Sequence, residues 1–221
     1  MKQHITHFGG RAAWLCLFFV LAQCGPERRS EWKLLTEEFA SAWQPAGMAE
    51  GGKVTIQDGE IVLHPGQPMT GAVFDASKWK NAHMPMSGYA IEFEAMRVEG
   101  NDFFGTVTFP VNDTHLSLVV GGWGGSLVGI SNIDDMDANE NNTRGNGTFE
   151  NNRWHKVRIE VRDDGIQAWI NGKLFVNVST KGHKLGLRPG DIEKCVPFGF
   201  ASYTTHARIR DVVIHRLVNH R

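Results

Sequence analysis

Glu92-Phe93-Glu94 sets two carboxylates two residues apart. On a β-strand such residues share one face, roughly 6.5–7 Å apart. Glycoside hydrolysis uses two carboxyls about 5–9 Å apart, one to protonate the leaving oxygen and one to attack or to activate water. Glu92 and Glu94 are therefore candidate catalytic groups. The same spacing also fits an outward polar face opposite Ile91, Phe93 and Ala95. His115, within Thr114-His115-Leu116-Ser117-Leu118, shares a strand face with Ser117 and Val119. A mid-strand imidazole facing a groove is a candidate general base, and a plain surface or hydrogen-bonded histidine is the alternative.

Other residues suit binding rather than bond making. Trp123 lies in the small-residue run Gly121-Gly122-Trp123-Gly124-Gly125, which would leave its ring uncovered. Aromatic faces stack on the C–H faces of sugars, so Trp123 is a candidate sugar platform, with core packing as the alternative. Trp79, in Ser77-Lys78-Trp79-Lys80, is a second candidate, expected on a loop. Trp169 is a third, either core or platform according to which sheet face it takes. Asn132 and Asn141 belong to the amide- and acid-rich stretch Asn132 to Asn142 and could form a polar rim. Within it Asp135-x-Asp137-x-Asn139 alternates like a calcium loop, so calcium is a candidate cofactor. The calcium-loop completion fails, since Glu140 stands where glycine is required and Asn146 where glutamate is. No Gly-x-Ser-x-Gly elbow, phosphate loop or dinucleotide fingerprint occurs.

The elements that must position these groups read as strands. Helical periodicity is nearly absent; only Glu31 to Phe39 could make a short helix or turn. Val157, Ile159 and Val161 alternate with Lys156, Arg158, Glu160 and Arg162, a half-buried antiparallel strand. Asp163-Asp164-Gly165 turns the chain, and Asn171-Gly172 suits a type I′ hairpin turn. About a dozen short strands follow one another without a helical crossover. The fold class is all-β, a two-sheet antiparallel β-sandwich. With 221 residues, 7 Trp and 13 Phe, the chain can bury a core and is not intrinsically disordered. Its 23 Lys and Arg nearly cancel its 24 Asp and Glu, which excludes a strongly basic nucleic-acid binder.

Residues 1–23 read as a signal peptide. Lys2 and Arg11 precede the unbroken apolar run Ala12 to Ala22, too short to span a bilayer. Leu21-Ala22-Gln23-Cys24 is similar to a lipoprotein box, so two forms stay open: lipidation at Cys24, or ordinary cleavage near Ala22 to Gly25. The expected location is secreted or periplasmic, with a lipid anchor at Cys24 to the outer membrane as the one membrane contact. Removing the signal takes away two positive charges and leaves a mildly acidic chain, with residues 31–221 as one sandwich domain. If Cys24 is lipidated or removed, Cys195 has no disulfide partner.

Arg153-Trp154-His155-Lys156-Val157, followed by Gly165 to Lys173, resembles the signature hairpin of concanavalin A-like, laminin-G-like jelly rolls. Pro197 to Tyr203 and Ala207 to Val212 resemble the last two strands of that group. Among its branches the chain is most similar to the secreted bacterial 3-keto-disaccharide hydrolase domains. The resemblance implies a carbohydrate partner and cleavage of a glycoside or 3-keto-glycoside on a concave sheet face. An enzyme of that kind would bring Trp123, His115, Glu92 and the Asp134–Glu140 loop together. A non-catalytic sugar-binding module would show exposed tryptophan and amides without them, and a structural or adhesion domain would scatter them.

Overall fold

The computed structural model describes residues 29–217. The expected signal peptide and Cys24 lie outside the described residues. Fifteen strands, two short α-helices, the helical turn Gly122–Gly125 and the 3-10 helix Asp191–Cys195 make up the regular structure of the described chain. In chain order the strands and α-helices are β1 (Glu31–Lys33), α1 (Glu37–Ala40), β2 (Trp43–Pro45), β3 (Val54–Gln57), β4 (Glu60–Leu63) and β5 (Met69–Phe74). Then come α2 (Ala76–Asn81), β6 (Tyr89–Glu99), β7 (Thr106–Val111), β8 (Thr114–Gly121) and β9 (Leu127–Ser131). The chain closes with β10 (Gly145–Asn146), β11 (Trp154–Arg162), β12 (Gly165–Ile170), β13 (Lys173–Ser179), β14 (Gly199–Tyr203) and β15 (His206–Arg216).

The strands pair antiparallel into two sheets. One runs β13-β12-β11-β6-β15-β4-β3, with β1 added against β15; the other runs β10-β9-β8-β7-β14-β5-β2. Period-two alternation decides which side faces inward. Val157, Ile159 and Val161 of β11 are buried, while Lys156 and Arg162 are exposed, as the sequence pattern requires. Asn171 and Gly172 take φ of 50° and 79°, the left-handed pair that a type I′ turn needs. The Asn171 side chain then fixes the hairpin by accepting from the Lys156 N–H at 3.0 Å.

Both inner faces feed one core. Trp43 stacks on Phe200 and meets Phe74 edge-on, with centroids 5.8 and 5.3 Å apart. Its indole N–H donates to Leu34 O at 2.8 Å, so the buried ring leaves no polar group unpaired. Tyr89 does the same, its hydroxyl donating to Pro110 O at 2.6 Å. Each fully buried side chain of this size contributes about 1.5–3 kcal/mol. Cys195 is buried and free, and burial pushes its thiol up to about 12.

Two expectations need correction. Glu31 to Phe39 is not one helix or turn: Glu31–Lys33 is an edge strand on β15, and the helix is confined to Glu37–Ala40. The strand wins because Trp32 alternates inward between two exposed neighbours. Trp79 is not on a loop. It sits in α2, whose start is capped by the Asp75 side chain accepting from the Lys78 N–H, and it is only 4% exposed. Its ring stacks on Phe198 at 5.4 Å. Trp79 is a core residue and not a sugar platform.

Candidate functional site

The outer face of the seven-stranded sheet carries a pocket of about 410 Å³. Because inner positions of β7 and β8 are taken by Val107, Phe109, Leu116 and Leu118, the alternate residues face outward. Thr106, Ser117, Val119 and Ser131 form the pocket floor, with Met69 and Tyr203 beside them. Strand register sets Thr108, Ser117 and Ser131 abreast across β7, β8 and β9. Small hydroxyl residues in a row keep that floor low. Thr108 and Ser117 hydroxyls bond each other at 2.9 Å, and Ser131 donates to the Asn132 side chain.

Two segments build walls on this floor. The first is the glycine-rich turn Gly122–Gly125 between β8 and β9. Gly121 and Gly125 are required there. A Cβ on Gly121 would come within 2.8 Å of the Phe104 ring, and Gly125 holds φ +110°. Trp123 adopts φ 49°, a left-handed conformation that costs a non-glycine residue of order 1 kcal/mol or more. The turn thereby presents the Trp123 ring, 43% exposed, at the pocket. Asp102 fastens this turn. Its carboxylate accepts from the Phe103 N–H at 2.8 Å and from the Gly124 N–H at 3.1 Å.

The second wall is the segment after β13. Asn132 and Gly186 exchange backbone hydrogen bonds of 2.7 and 3.3 Å, which lays this segment across the sheet. It delivers Arg188, Pro189, Asp191 and Ile192 to the pocket. The Arg188 guanidinium lies 5.8 Å from the Trp123 ring centroid and is tethered to Asp137 at 2.9 Å. Asp191 is held by one ion pair to Lys194 at 2.9 Å. The pocket thus combines aromatic faces (Trp123, Phe103, Tyr203), a fixed cation, two carboxylates and hydroxyls.

The candidate catalytic residues do not meet here. Glu92 and Glu94 lie on the outer face of the eight-stranded sheet, behind the full thickness of the sandwich. There Glu92 pairs with Arg158, and Glu94 pairs with Arg210 at 2.7 Å. Trp169, half-buried, is on that same face and lines a groove of about 630 Å³ with them. His115 lies on the seven-stranded sheet but is not among the pocket residues. Its Nε2 is buried without a partner, and burial pulls the imidazole below its usual range. Convergence of Trp123, His115 and Glu92 is therefore corrected: the sheet that carries Glu92 points it to the opposite side.

The amide-rich stretch divides by contact. Asn141 is not a sugar ligand. It is buried, its amide N–H groups donate to Ile130 O, Met136 O and Asp137 O, and its oxygen accepts from Thr143. Asn132 serves the sheet crossing just described. Asp135 pairs with Lys184 at 2.8 Å, and Asp137 with Arg188. Asp137 also accepts from the Asn139 N–H at 2.8 Å. These carboxylates are directed at cations and backbone, not at one another. Among the described residues no three His, Cys, Asp or Glu side chains could hold a metal together. Asp102, Thr106, Arg188 and Asp191 carried no sequence signal, because no fixed spacing connects them.

No curated protein matches the sequence. Among solved structures the chain is similar to the carbohydrate-binding module CBM66 from Bacillus subtilis, at 11% identity and a TM-score of 0.51, covering 79% of this chain and 95% of that one. It is similar to domain 4 of AbnA, an extracellular GH43 arabinanase from Geobacillus stearothermophilus solved with arabinotriose. The identity is 13% and the TM-score 0.51, over 85% of this chain and 91% of the other. A prokaryotic β-1,3-1,4-glucanase from a mouse hindgut metagenome matches at 9% identity and a TM-score of 0.51, over 85% and 98%. Identities this low establish the jelly-roll fold alone. The family profile described as 3-keto-alpha-glucoside-1,2-lyase-like domain matches residues 31–215, nearly the whole described sandwich from β1 to β15. The chain is a member of that domain family.

Proposed function

We propose that the pocket on the seven-stranded sheet binds a sugar and cleaves a 3-keto-glycoside by elimination. The observation that carries this reading is a single pocket holding exposed Trp123, Arg188 and the two carboxylates Asp102 and Asp191. Its size suits a small polar ligand with aromatic contacts. A ketone at C3 acidifies the hydrogen on C2. A base removes that proton, and the enolate collapses to a C1–C2 double bond as the C1–O bond breaks. The departing alkoxide takes a proton and leaves as an alcohol. Water adding to the double bond would complete a net hydrolysis.

The chain supplies groups for removing the proton, for the enolate charge and for the ring face, and the departing alkoxide takes its proton from water. Asp102 already spends both carboxylate oxygens on backbone N–H groups, so it positions the Trp123 turn. Among the described residues Asp191 has only Lys194 as partner, and it is the base. Arg188, pinned by Asp137, stabilises the negative charge on the enolate oxygen. Trp123 takes the apolar face of the ring.

The test uses p-nitrophenyl 3-keto-α-glucoside and its unoxidised parent. The wild type should release nitrophenol from the keto compound alone, and Asp191→Asn should abolish release while leaving sugar affinity intact. Equal release from the parent, or full activity in Asp191→Asn, would overturn the mechanism. Sugar binding without any turnover would make the domain a binding module. We also propose that the protein works outside the cytoplasm, from residues 1–24 of its sequence. Palmitate labelling that disappears in Cys24→Ser would support lipid anchoring, and a soluble unlabelled periplasmic protein would refute the anchor.

A further inference from the structure

Thr106 is 2% exposed, and its side chain belongs to the pocket floor. Its hydroxyl has no hydrogen-bond partner among the described residues. Four other buried side-chain atoms share that condition, on Trp79, His115, His155 and Ser202, and none of those residues lines this pocket. The serine hydroxyls of the floor are accounted for: Ser117 bonds Thr108, and Ser131 bonds Asn132. A buried hydroxyl without a partner is destabilising, and such groups in native structures mark a missing water, ion or ligand. The charged groups Asp102, Arg188 and Asp191 all come from segments outside the strands of the sheet, so no charge comes from the floor.

We propose that Thr106 is a specificity-determining residue, whose hydroxyl bonds an uncharged oxygen of the sugar ring, a hydroxyl or the keto group, on the floor of the pocket. This rests on the sugar pocket proposed above. The hydroxyl oxygen is itself buried, so it meets the sugar by rotating about χ1 into the place of its methyl, and a threonine hydroxyl both donates and accepts. A charged substituent entering this depth would lose its hydration with no countercharge at the floor.

Thr106→Val keeps the shape and removes the hydroxyl; Thr106→Ser keeps the hydroxyl. Thermal melting is measured on both and on the wild type, and calorimetric titration with methyl 3-keto-α-glucoside on the same three in the Asp191→Asn background, where the ligand is not consumed. Thr106→Val should melt at or above the wild-type temperature and bind about 3- to 10-fold more weakly. Thr106→Ser should bind like the wild type. Wild-type affinity in Thr106→Val overturns the inference, as does a clear loss of its melting temperature, which would show that the hydroxyl serves the fold. If the wild type binds no sugar, the proposed function itself fails and this inference goes with it.

Discussion

Replacing Arg97 by methionine tests how the Trp123 wall is held up. Arg97 comes from β6 but points between the sheets, where it is 6% exposed. Its Nε donates to the Asn151 side chain at 2.6 Å, its Nη2 to Phe149 O and its Nη1 to Asp102 O at 3.3 Å. The guanidinium also covers the Phe104 ring at 5.3 Å. Gly125 must be glycine partly because a Cβ there would lie 3.2 Å from Arg97 Nη1. Arg97 therefore underlies both Asp102 and the turn that Asp102 fastens. Methionine preserves most of the stem and removes every donor. A hydrogen bond from a charged donor is worth about 1.5–3 kcal/mol. The Phe149 bond is buried and counts fully. The Asn151 side chain can turn to water, and the Asp102 bond is long, so both count for less. Desolvation of the guanidinium, which also pulls its pKa down, offsets part of the loss. The expected cost is about 2–4 kcal/mol. For a chain of this size that is roughly 4–16 °C in melting temperature. Urea unfolding followed by circular dichroism gives the number, and titration with the keto-sugar should show weaker binding in parallel. A variant within about 0.5 kcal/mol of wild type, with unchanged affinity, would refute the reasoning.

Trp79→Ala should lose about 3–5 kcal/mol of stability, whereas Trp123→Ala should stay within about 1 kcal/mol and bind the sugar at least tenfold more weakly; denaturant titration and calorimetry separate the two. Glu92→Gln and Glu94→Gln should leave turnover unchanged and cost about 1 kcal/mol or less, because their ion pairs are on the opposite, solvated face; loss of turnover would contradict the assignment. Stability should fall on acidification. Burial is the main reason that His155 titrates below its usual 6.5; Glu150 opposes the shift, and Arg153 and Arg97 add to it. The unfolded chain therefore takes up the proton first. Its stabilising contribution is complete above about pH 6.5 and is lost as pH falls through the depressed folded value. Urea midpoints between pH 7.5 and 5 should decline, and less steeply in His155→Gln; an equal slope would count against this account.

The sandwich was legible because strand alternation is local. Lys156 to Arg162 states its own inner and outer faces, and Asn171-Gly172 states its own turn. The edge strand at Glu31–Lys33 was hidden because its pairing with β15 is remote in sequence. Trp79 was misplaced because a six-residue helix is too short to show a period, and the polar Lys78 and Lys80 suggested a loop. Trp123 was legible from its glycine neighbours. Its partners were not: Asp102 comes from the loop between β6 and β7, Arg188 and Asp191 from the segment after β13, and only the folded sheet brings them together. Glu92 and Glu94 looked catalytic because spacing along one strand says nothing about which sheet face the substrate takes.

The most direct measurement is a crystal structure of Asp191→Asn soaked with a 3-keto-glycoside. The account predicts a sugar on the outer face of the seven-stranded sheet, stacked on Trp123, with its C2 hydrogen toward residue 191 and a ring oxygen at Thr106. A sugar bound instead in the groove between Glu92, Glu94 and Trp169 would contradict it.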